Sequence, residues 1–246
     1  MHQLRPFFDD FRQPEIDKEI WFPVHLPHWS NREQAKASFE LTSDGLRLHI
    51  AEGQKPWCSE FDGSTRVSNL QTAITTAALG ATDGQHRFKP GLVVAESQEQ
   101  NINVLMQHGI IEVRVKLNLL ENNTGALWLV GLEGVPEDSG ELCIFEVKHG
   151  SDLVDEIEVG LGSKNHFDPR FSGEFETFIV SGASDWHTYK MAWQPELAEF
   201  FIDSKKVFET KAIPTYPLQL MLGVYDSSES TAKSGEMLVD YIRVTS

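Results

Sequence analysis

Cysteine is scarce in this sequence. Only Cys58 and Cys143 occur among 246 residues, which is too few for the disulfide frameworks that hold small secreted domains together. In a reducing compartment the default state of such residues is the thiol. We therefore expect two free thiols rather than a bridge between Cys58 and Cys143.

Long hydrophobic runs are also missing. No stretch approaches the roughly 20 apolar residues that a membrane-spanning helix needs. The opening MHQLRPFFDDFRQ lacks the apolar core and the cleavage site of a signal peptide. The sequence as written predicts a cytoplasmic protein without a membrane partner, or a secreted protein if a leader has been trimmed away.

Basic side chains are outnumbered by acidic ones. Thirty-seven aspartates and glutamates stand against 21 lysines and arginines, which gives a net charge of −16. This charge repels nucleic acid and anionic membranes, and it argues weakly against strongly anionic polysaccharides as substrates. The sequence also lacks zinc-type Cys and His spacings, a Gly-rich phosphate loop and the G-x-S-x-G elbow of serine hydrolases.

The sequence contains instead a series of short β-rich runs, separated by Gly, Pro, Asn, Asp and Ser, without sustained helical periodicity. The predicted strands are LRLHI (46–50), IIEVRVKL (110–117), ALWLVGL (126–132), ELCIFEV (141–147), FETFIV (175–180), WHTYKMAW (186–193), AEFFID (198–203), PLQLMLGVY (217–225) and MLVDYIRV (237–244). This pattern predicts one all-β domain over residues 1–246, built from two packed antiparallel sheets or a barrel. The stretches 52–70 and 79–108 are predicted as long ordered loops.

Two of these runs differ in their hydrophobic pattern. In IIEVRVKL, apolar side chains alternate with Glu112, Arg114 and Lys116, which is typical of a strand with one face in water. ALWLVGL is apolar on both faces. It is therefore predicted to lie in the middle of a sheet, with its second face covered by something other than bulk water.

The segment GELCIFEVKHG (140–150) contains a glutamate in an unexpected position. On a regular strand Glu146 would share the apolar face, where an unpaired buried charge costs several kcal/mol. One extra residue inserted after Cys143 as a β-bulge returns Glu146 to the face of Glu141 and Cys143. The residues that then point into the core are Leu142, Ile144 and Val147.

Two glutamates on one face of a bulged strand fit glycoside chemistry. A retaining glycosidase needs an ionised carboxylate as nucleophile and a protonated carboxyl as acid, about 5 to 5.5 Å apart. From the spacing alone, two solvated glutamates on an exposed strand face are the alternative interpretation.

Six segments of the chain are similar, in order, to the patterns of one enzyme family. They are FFDDF (7–11), HGIIEVRVKL (108–117), GALWLVG (125–131), ELCIFE (141–146), DWHTYKMAWQPELAEFFID (185–203) and MLVDYIRV (237–244). Together they resemble glycoside hydrolase family 16, the laminarinase-like enzymes, whose signature is E-x-D-x-x-E. The resemblance implies a jelly-roll sandwich of two curved antiparallel sheets, with a concave cleft that binds a carbohydrate substrate.

The resemblance also implies roles for the signature residues, with Glu141 as nucleophile and Glu146 as general acid and base. Cys143 stands where the family has an aspartate that hydrogen-bonds the nucleophile and helps to keep the acid protonated. Adjacent carboxyl groups suppress the ionisation of a thiol, so Cys143 is expected to be neutral and a weak donor. We therefore predict slow hydrolysis with an optimum shifted to lower pH.

Five residues are candidates for substrate binding. Trp128 and His187 resemble the cleft tryptophan and histidine of the family, with a core tryptophan and a structural histidine as the alternatives. Gln219 and Tyr225 lie opposite the apolar row of PLQLMLGVY, where they can line the cleft. Trp57 in the loop KPWCSEFDG offers a stacking ring, although an ordinary surface loop is the simpler interpretation.

The resemblance further suggests a structural calcium on the convex side, and no other cofactor is required. Asp240 and Gly45 match the family positions that supply a carboxylate and a backbone oxygen, which are the ligands that calcium prefers. An ion pair between Asp240 and an arginine such as Arg243 or Arg47 is the alternative.

Two functions from different classes follow. The first is hydrolysis or transglycosylation of β-glycosidic bonds, with neutral β-glucans as the leading substrate, through a covalent glycosyl-enzyme on Glu141. The second is a carbohydrate-binding protein on the same scaffold, in which Cys143 has weakened catalysis. The two glutamates favour the enzyme, since a binding protein needs neither both carboxylates nor a bulge that orients them.

Overall fold

The computed structural model describes residues 5–148 and 155–246, most of which lie in strands or the turns between them. A 3-10 helix covers Pro27–Trp29 and a short α-helix, α1, covers Ser59–Asp62. Neither is long and apolar enough to cross a membrane. The strands of the described residues are β1 (Phe7–Asp9), β2 (Phe39–Thr42), β3 (Gly45–His49), β4 (Arg66–Gln71), β5 (Ala73–Ile74), β6 (Asn101–Ile102), β7 (Gly109–Asn118), β8 (Asn123–Gly131), β9 (Glu141–Lys148), β10 (Glu156–Lys164), β11 (Phe175–Ser181), β12 (Trp186–Gln194), β13 (Leu197–Ile202), β14 (Lys205–Thr210), β15 (Leu218–Asp226) and β16 (Glu236–Thr245).

The strands pair antiparallel in two main sheets. The first, which we call the back sheet, has the order β14-β13-β12-β7-β16-β3-β2, and β1 shares one edge of β16 with β3. The second has the order β11-β10-β9-β8-β15-β4, and we call it the cleft sheet. A two-stranded ribbon of β5 and β6 lies apart from both sheets. The prediction of an all-β sandwich of antiparallel sheets is confirmed.

The core lies between the two sheets and is built from the alternating apolar residues that the sequence predicts. It includes Ile111, Val113, Val115 and Leu117 of β7 and Leu218, Leu220, Leu222 and Val224 of β15. Burial of each such side chain contributes about 1.5 to 3 kcal/mol. Because side chains alternate along a strand, the other face of β15 points out of the sandwich.

Loops cover part of the outer face of the cleft sheet. A second apolar cluster joins Val130 and Met221 of that face to loop residues. The loop residues are Leu26, Trp29, Trp57, Cys58, Ala77, Leu92 and Val94. This cover explains why ALWLVGL is apolar on both sides, since β8 lies between β9 and β15 with Leu127 in the core and Val130 under the loops. The uncovered part of the face forms a cleft.

The predicted bulge is present in β9. Adjacent residues of β8 pair with Phe145 and Cys143, so Ile144 is the extra residue. The pairing of β9 with β10 shifts at the same place. Glu146 therefore returns to the outer face with Glu141, and its carboxylate stays out of the apolar core. The core-facing residues are Leu142, Ile144, Phe145 and Val147.

The prediction of continuous loops at 52–70 and 79–108 is wrong in part. The first stretch contains α1 and most of β4, which is an edge strand of the cleft sheet, and the second contains β6. β4 is buried along its length, but Ser68 and Asn69 interrupt its apolar pattern. The sequence pattern also misses β10, because Gly160 and Gly162 lower its strand propensity.

A buried ion pair ties the edge strand β4 to the end of β15. The guanidinium of Arg66 hydrogen-bonds the carboxylate of Asp226, and both side chains are almost fully buried. We expect Asp226→Ala to lower the free energy of unfolding by about 3 to 5 kcal/mol, because it leaves a buried cation without its counterion. Urea unfolding monitored by tryptophan fluorescence measures this change.

The matched control is the exposed pair between Glu209 and Lys206 on β14. Glu209→Ala should leave the unfolding free energy nearly unchanged, since water solvates both partners. Equal midpoints for Asp226→Ala and the parent protein would show that the buried pair adds nothing to stability.

Candidate active site

A cavity of about 370 Å³ opens on the outer face of the cleft sheet. Strands β8, β9, β10 and β15 form its floor, and loops that carry His25 and His86 form part of its rim. The lining residues are His25, His86, Thr124, Trp128, Val130, Glu141, Glu146, Lys148, Lys164, His166, Met221 and Tyr225. A concave site with aromatic walls and a few convergent polar groups is suited to a small ligand. We call this cavity the cleft.

Glu141 and Glu146 lie side by side in the cleft. One carboxylate oxygen of each glutamate and Sγ of Cys143 all lie within 4.8 Å of one another. Inverting glycosidases hold their carboxyl groups roughly 6.5 to 9.5 Å apart to admit a water molecule, whereas retaining enzymes hold them at about 5 to 5.5 Å. The separation between Glu141 and Glu146 is of the retaining kind.

Glu141 is buried and is held by one hydrogen bond and one ion pair. Nε2 of His166 lies 3.0 Å from its Oε2, and Nζ of Lys164 lies 3.1 Å from its Oε1. Burial raises the pKa of Glu141, but the His166 hydrogen bond and the Lys164 charge outweigh burial, so the pKa is lowered overall. Glu141 is therefore ionised at neutral pH. An ionised carboxylate only accepts hydrogen bonds, so His166 carries its proton on Nε2.

Glu146 is held by two lysines and a tryptophan. Lys164 donates to its Oε2 at 2.8 Å, Lys148 lies 3.0 Å from its Oε1, and Nε1 of Trp128 donates to Oε2 at 3.2 Å. Burial raises the pKa of Glu146, yet the charges and hydrogen bonds of Lys164 and, after it, Lys148 together more than offset this, and the pKa is lowered. The group in the position of the general acid is therefore ionised at neutral pH.

Lys164 is shared by the two glutamates. Burial alone lowers its pKa, but the charges of Glu141 and Glu146 raise the pKa overall, so the amine stays an ammonium. It holds an ion pair with each carboxylate. The site thus contains two carboxylates, an ammonium and a thiol, in contrast to the three acids of the family signature.

Cys143 is a buried free thiol between the glutamates. Burial, followed by the charge of Glu141, raises its pKa well above the ordinary value. Its Sγ lies 3.7 Å from the carbonyl oxygen of Gly160, to which the thiol donates weakly. The thiol therefore stays neutral and adds no negative charge beside Glu146. Cys58 is also a free thiol, and it lies under the covering loops.

Trp128 and Tyr225 form an aromatic wall of the cleft, with ring centroids 5.2 Å apart. His25 packs edge-on against Tyr225 at 5.4 Å. Among the described residues, Nδ1 of His25 is buried without a hydrogen-bond partner. Aromatic faces and an unpaired imidazole nitrogen are suited to the apolar face and the hydroxyls of a sugar.

The sequence pattern gives no indication of the basic residues in the cleft. Lys164 and His166 lie at and just beyond the end of β10, which has weak strand propensity. Strand pairing is the information that would identify Lys164 as a cleft residue. Lys164 lies directly opposite Glu141 in the antiparallel pair of β10 and β9. His25 and His86 enter from loops distant in sequence, so local pattern does not reveal them.

Two predicted substrate-binding residues lie outside the cleft. His187 is on β12 of the back sheet, where its ring nitrogens bond Asp203 at 2.8 Å and the carbonyl of Gly182 at 2.9 Å. It shares the core-facing side of the strand with Tyr189, so it is a structural histidine. Gln219 faces the outer side of β15 but is fully buried, with its amide bonded to Ala73 and Gln85.

Trp57 is also not a cleft residue. Its ring is 2% exposed and belongs to the cluster under the covering loops. Its Nε1 donates to Asp62 at 2.7 Å, and its ring packs edge-on against His25 at 4.5 Å. Trp57 therefore supports the rim residue His25 from behind. The ring of Trp57 is buried because its loop folds back onto the cleft sheet.

Asp240 and Gly45 do not fit a calcium site. One carboxylate oxygen of Asp240 accepts from Arg12 at 2.6 Å and the other accepts from Arg114 at 2.7 Å. Two guanidinium ions at these distances repel a divalent cation and engage both of the oxygens it needs. Gly45 packs against the backbone of Val239 with a φ of +117°, which explains the need for glycine.

The fold and the paired glutamates define a class, the β-sandwich glycosidases with a retaining arrangement of carboxyl groups. A sequence profile described as "Glycosyl hydrolases family 16" matches residues 95–243. The match covers more than half of the chain, and the protein belongs to this family. No curated protein sequence matches the chain significantly.

Several solved structures share the fold. A GlcNAcα1-4Gal-releasing endo-β-galactosidase from Clostridium perfringens is 26% identical with a TM-score of 0.82, and the match covers 97% of this chain and 61% of that one. This chain thus spans about three fifths of that enzyme's length. The catalytic domain of a laminarinase from Thermotoga petrophila is 16% identical with a TM-score of 0.66, covering 99% and 97%. An endo-β-1,3-glucanase from Pyrococcus furiosus is 17% identical with a TM-score of 0.63, covering 97% and 92%.

His166 offers a test of how Glu141 is held. We expect His166→Ala to lower kcat about 100-fold, because the carboxylate loses the donor that orients it. The lost hydrogen bond also lets the pKa of Glu141 rise, so the acid limb of kcat/KM moves to higher pH. His166→Gln, which keeps a donor, should recover part of the rate. The pH profiles of both variants measure these effects.

The matched control is His187→Gln on the back sheet, which should leave the pH profile and KM unchanged. If His166→Ala behaves like His187→Gln, the contact with Glu141 has no part in catalysis.

Proposed function

We propose that this protein is a retaining glycosidase that cleaves β-glycosidic bonds inside a glycan chain. The observation that carries the proposal is the pair of carboxylates on one face of the bulged β9, within 4.8 Å of each other. Family membership supports the same conclusion. The aromatic wall of Trp128 and Tyr225 supplies a surface on which a sugar ring can stack.

In the proposed reaction, Oε1 or Oε2 of Glu141 attacks the anomeric carbon while Glu146 gives a proton to the departing glycosidic oxygen. A covalent glycosyl-enzyme forms on Glu141, and the aglycone leaves as an alcohol. Glu146, now a carboxylate, removes a proton from water, which attacks the same carbon and releases Glu141. The two displacements return the anomeric carbon to its original configuration. A second sugar in place of water gives transglycosylation.

Lys164 makes the first step pH-dependent. Its ion pair favours the ionised form of Glu146, whereas the reaction starts with Glu146 protonated. Neutral Cys143 supplies no opposing negative charge. Both effects put the optimum of the free enzyme at acidic pH, because the proposed reaction needs the form in which Glu146 has taken up a proton and Glu141 is ionised. The same effects predict slow turnover at neutral pH. The ionised Glu146 and the neutral Cys143 are the features that favour a carbohydrate-binding protein as the second candidate.

We infer that the substrate contains β-linked galactose rather than being a plain β-glucan. The match to the endo-β-galactosidase, at 26% identity and a TM-score of 0.82, supports a likeness beyond the shared fold. The matches to two laminarinases and to the endo-β-1,3-glucanase, at 16 to 17% identity, support the fold alone. Neutral β-glucans such as laminarin and lichenan are the second substrate class to be tested.

The test is release of reducing ends from N-acetyllactosamine polymers, mucin-type O-glycans, agarose, laminarin and lichenan between pH 4 and 8, roughly the range in which carboxyl and imidazole groups titrate. Proton NMR of the first product distinguishes retention from inversion. Cleavage with retention supports the enzyme, and the substrate cleaved fastest identifies the linkage. Cleavage by Cys143→Asp alone supports the binding protein, because that variant restores the acid of the family signature. Cleavage with inversion, or no cleavage by either protein, contradicts the proposal.

A further inference from the structure

A second cavity, of about 450 Å³, opens beside the cleft. It is lined by residues 87–92 together with Thr82 and Phe167, and we call it the side cavity. His86 and His166 line the cleft, with ring centroids 5.5 Å apart. The next residue in the chain after each of them, Arg87 and Phe167, lines the side cavity. Because His166 bonds Glu141, the side cavity continues the cleft on the side of the nucleophile.

The charged side chains that line the side cavity, among the described residues, are Arg87 and Lys89. The guanidinium of Arg87 lies 5.1 Å from the centroid of the Phe167 ring. Lys89 is exposed and donates to the carbonyl oxygen of Phe61 at 2.9 Å, a contact with a neutral group that does not cancel its charge. The side cavity is thus basic although the whole chain carries a net charge of −16.

Among the described residues, Arg87 forms an ion pair with one acidic group, Glu133. Its Oε2 is 4.0 Å from Nε of Arg87, and its side chain is 3% exposed. Burial raises the pKa of Glu133 to about 7, even though a backbone hydrogen bond from His86 and the charge of Arg87 lower it. In mildly acidic solution Glu133 is therefore mostly neutral, and it leaves the charge of Arg87 uncompensated.

The lining has the chemistry of a site for an anionic sugar. A guanidinium presents a planar pair of donors that matches the oxygens of a sulfate or carboxylate, and an ammonium adds a point charge. Phe167 is 58% exposed and offers an apolar face to a sugar ring. The net negative charge of the protein acts weakly here, since charges further away than about 8 Å are largely screened at physiological salt.

We propose that the side cavity is a subsite that binds a sulfate or carboxylate group on the glycan, through Arg87 and Lys89. The proposal rests on the glycosidase function proposed above and deepens it, because it assigns an anionic substrate in place of the neutral polysaccharide that the net charge predicts. Arg87 and Lys89 then select the glycan at a distance from the reacting bond, and they act on binding rather than on proton transfer.

The experiment measures binding of matched oligosaccharides to the intact chain with Glu141→Gln, which prevents turnover. The probes are N-acetyllactosamine oligosaccharides in neutral, 6-sulfated and sialylated forms, and laminarin oligosaccharides in neutral and sulfated forms. Calorimetric titration at two salt concentrations gives the dissociation constants. The same titrations are made with Arg87→Gln and Lys89→Gln added, and with Lys205→Gln on β14 of the back sheet as a control of equal charge.

We expect the sulfated or sialylated form of at least one oligosaccharide to bind at least about tenfold more tightly than its neutral form. A factor of this size corresponds to one charge-assisted hydrogen bond. Arg87→Gln and Lys89→Gln should remove this preference and leave neutral binding unchanged, whereas Lys205→Gln should keep it. A sulfate preference without a sialate preference identifies the sulfate ester as the ligand, and the reverse result identifies the carboxylate.

Equal binding of neutral and anionic forms, a preference that survives Arg87→Gln and Lys89→Gln, or binding of none of the probes overturns the proposal. These outcomes are separate from those of the hydrolysis test. Cleavage of a neutral glycan without anion preference leaves the glycosidase in place and removes the subsite. Anion preference without cleavage by the parent protein leaves the subsite in place and removes the enzyme.

Discussion

Replacement of Glu141 by glutamine is expected to reduce glycoside hydrolysis by about 10⁴-fold or more. Glutamine keeps the size of the side chain and its contact with His166, but it has no negative charge with which to attack the anomeric carbon. The loss should be equally large for natural glycans and for aryl glycosides with activated leaving groups, because both need the nucleophile. Initial rates on the two substrate types measure the effect.

Glu146→Gln should behave differently. Its rate on natural glycans should fall by about 10² to 10⁴-fold, the usual contribution of a general acid. Formation of the glycosyl-enzyme from an activated aryl glycoside should fall much less, because that leaving group departs without a proton. Glu112→Gln, a matched change on β7 of the back sheet, should leave both rates unaltered.

Mass spectrometry tests the assignment of the nucleophile independently of rates. A 2-deoxy-2-fluoro glycoside with an activated leaving group should label the parent protein once, on the peptide that contains Glu141. A label on Glu146, or more than one tenth of the parent activity in Glu141→Gln, would reverse or remove the proposed roles.

Replacement of Lys164 by methionine should shift the pH profile of kcat/KM to higher pH. Activity at pH 7 should rise on the order of tenfold as a result. In the parent protein the Lys164 charge and hydrogen bond lower the pKa of Glu146 against the effect of burial. Without the ammonium, less opposes the effect of burial, and the pKa of Glu146 rises. The pKa of Glu141 rises for the same reason, so both limbs of the bell-shaped profile move in the same direction.

The matched control for this change is Lys148→Met. Lys148 also lies 3.0 Å from Glu146, but its side chain is 71% exposed and water screens its charge. The Lys148→Met change should therefore shift the pH profile of kcat/KM much less than Lys164→Met does. Equal shifts in the two variants, or a profile that does not move in Lys164→Met, would show that the shared ammonium does not set the protonation of the acid.

A comparison of kcat with kcat/KM adds information about the bound state. The profile of kcat/KM reports the free enzyme, and the profile of kcat reports the complex with substrate. If a bound sugar separates Lys164 from Glu146, the pKa of Glu146 rises in the complex. The alkaline limb of the kcat profile then falls at a higher pH than that of the kcat/KM profile in the parent protein. The two limbs should coincide in Lys164→Met.

The sequence by itself determines the sandwich and the arrangement of its catalytic strand. Alternation in IIEVRVKL and PLQLMLGVY separates the core face from the outer face, because a strand has only two sides. The position of Glu146 in ELCIFEV requires a bulge, because a charge in the apolar row is costly. The bulge in turn brings Glu146 beside Glu141. These conclusions depend on local chain geometry and on burial, which the order of residues encodes directly.

The tertiary structure alone decided which other residues line the cleft around the glutamates. Lys164 comes from β10, whose glycines hide the strand, and His25 and His86 come from loops that fold over the cleft sheet from distant parts of the chain. Trp57 and His187 carry side chains suited to a cleft, but packing places Trp57 under a loop and His187 against the core. Whether a polar or aromatic side chain meets a ligand or the core depends on contacts between segments far apart in sequence, and no local pattern fixes those contacts.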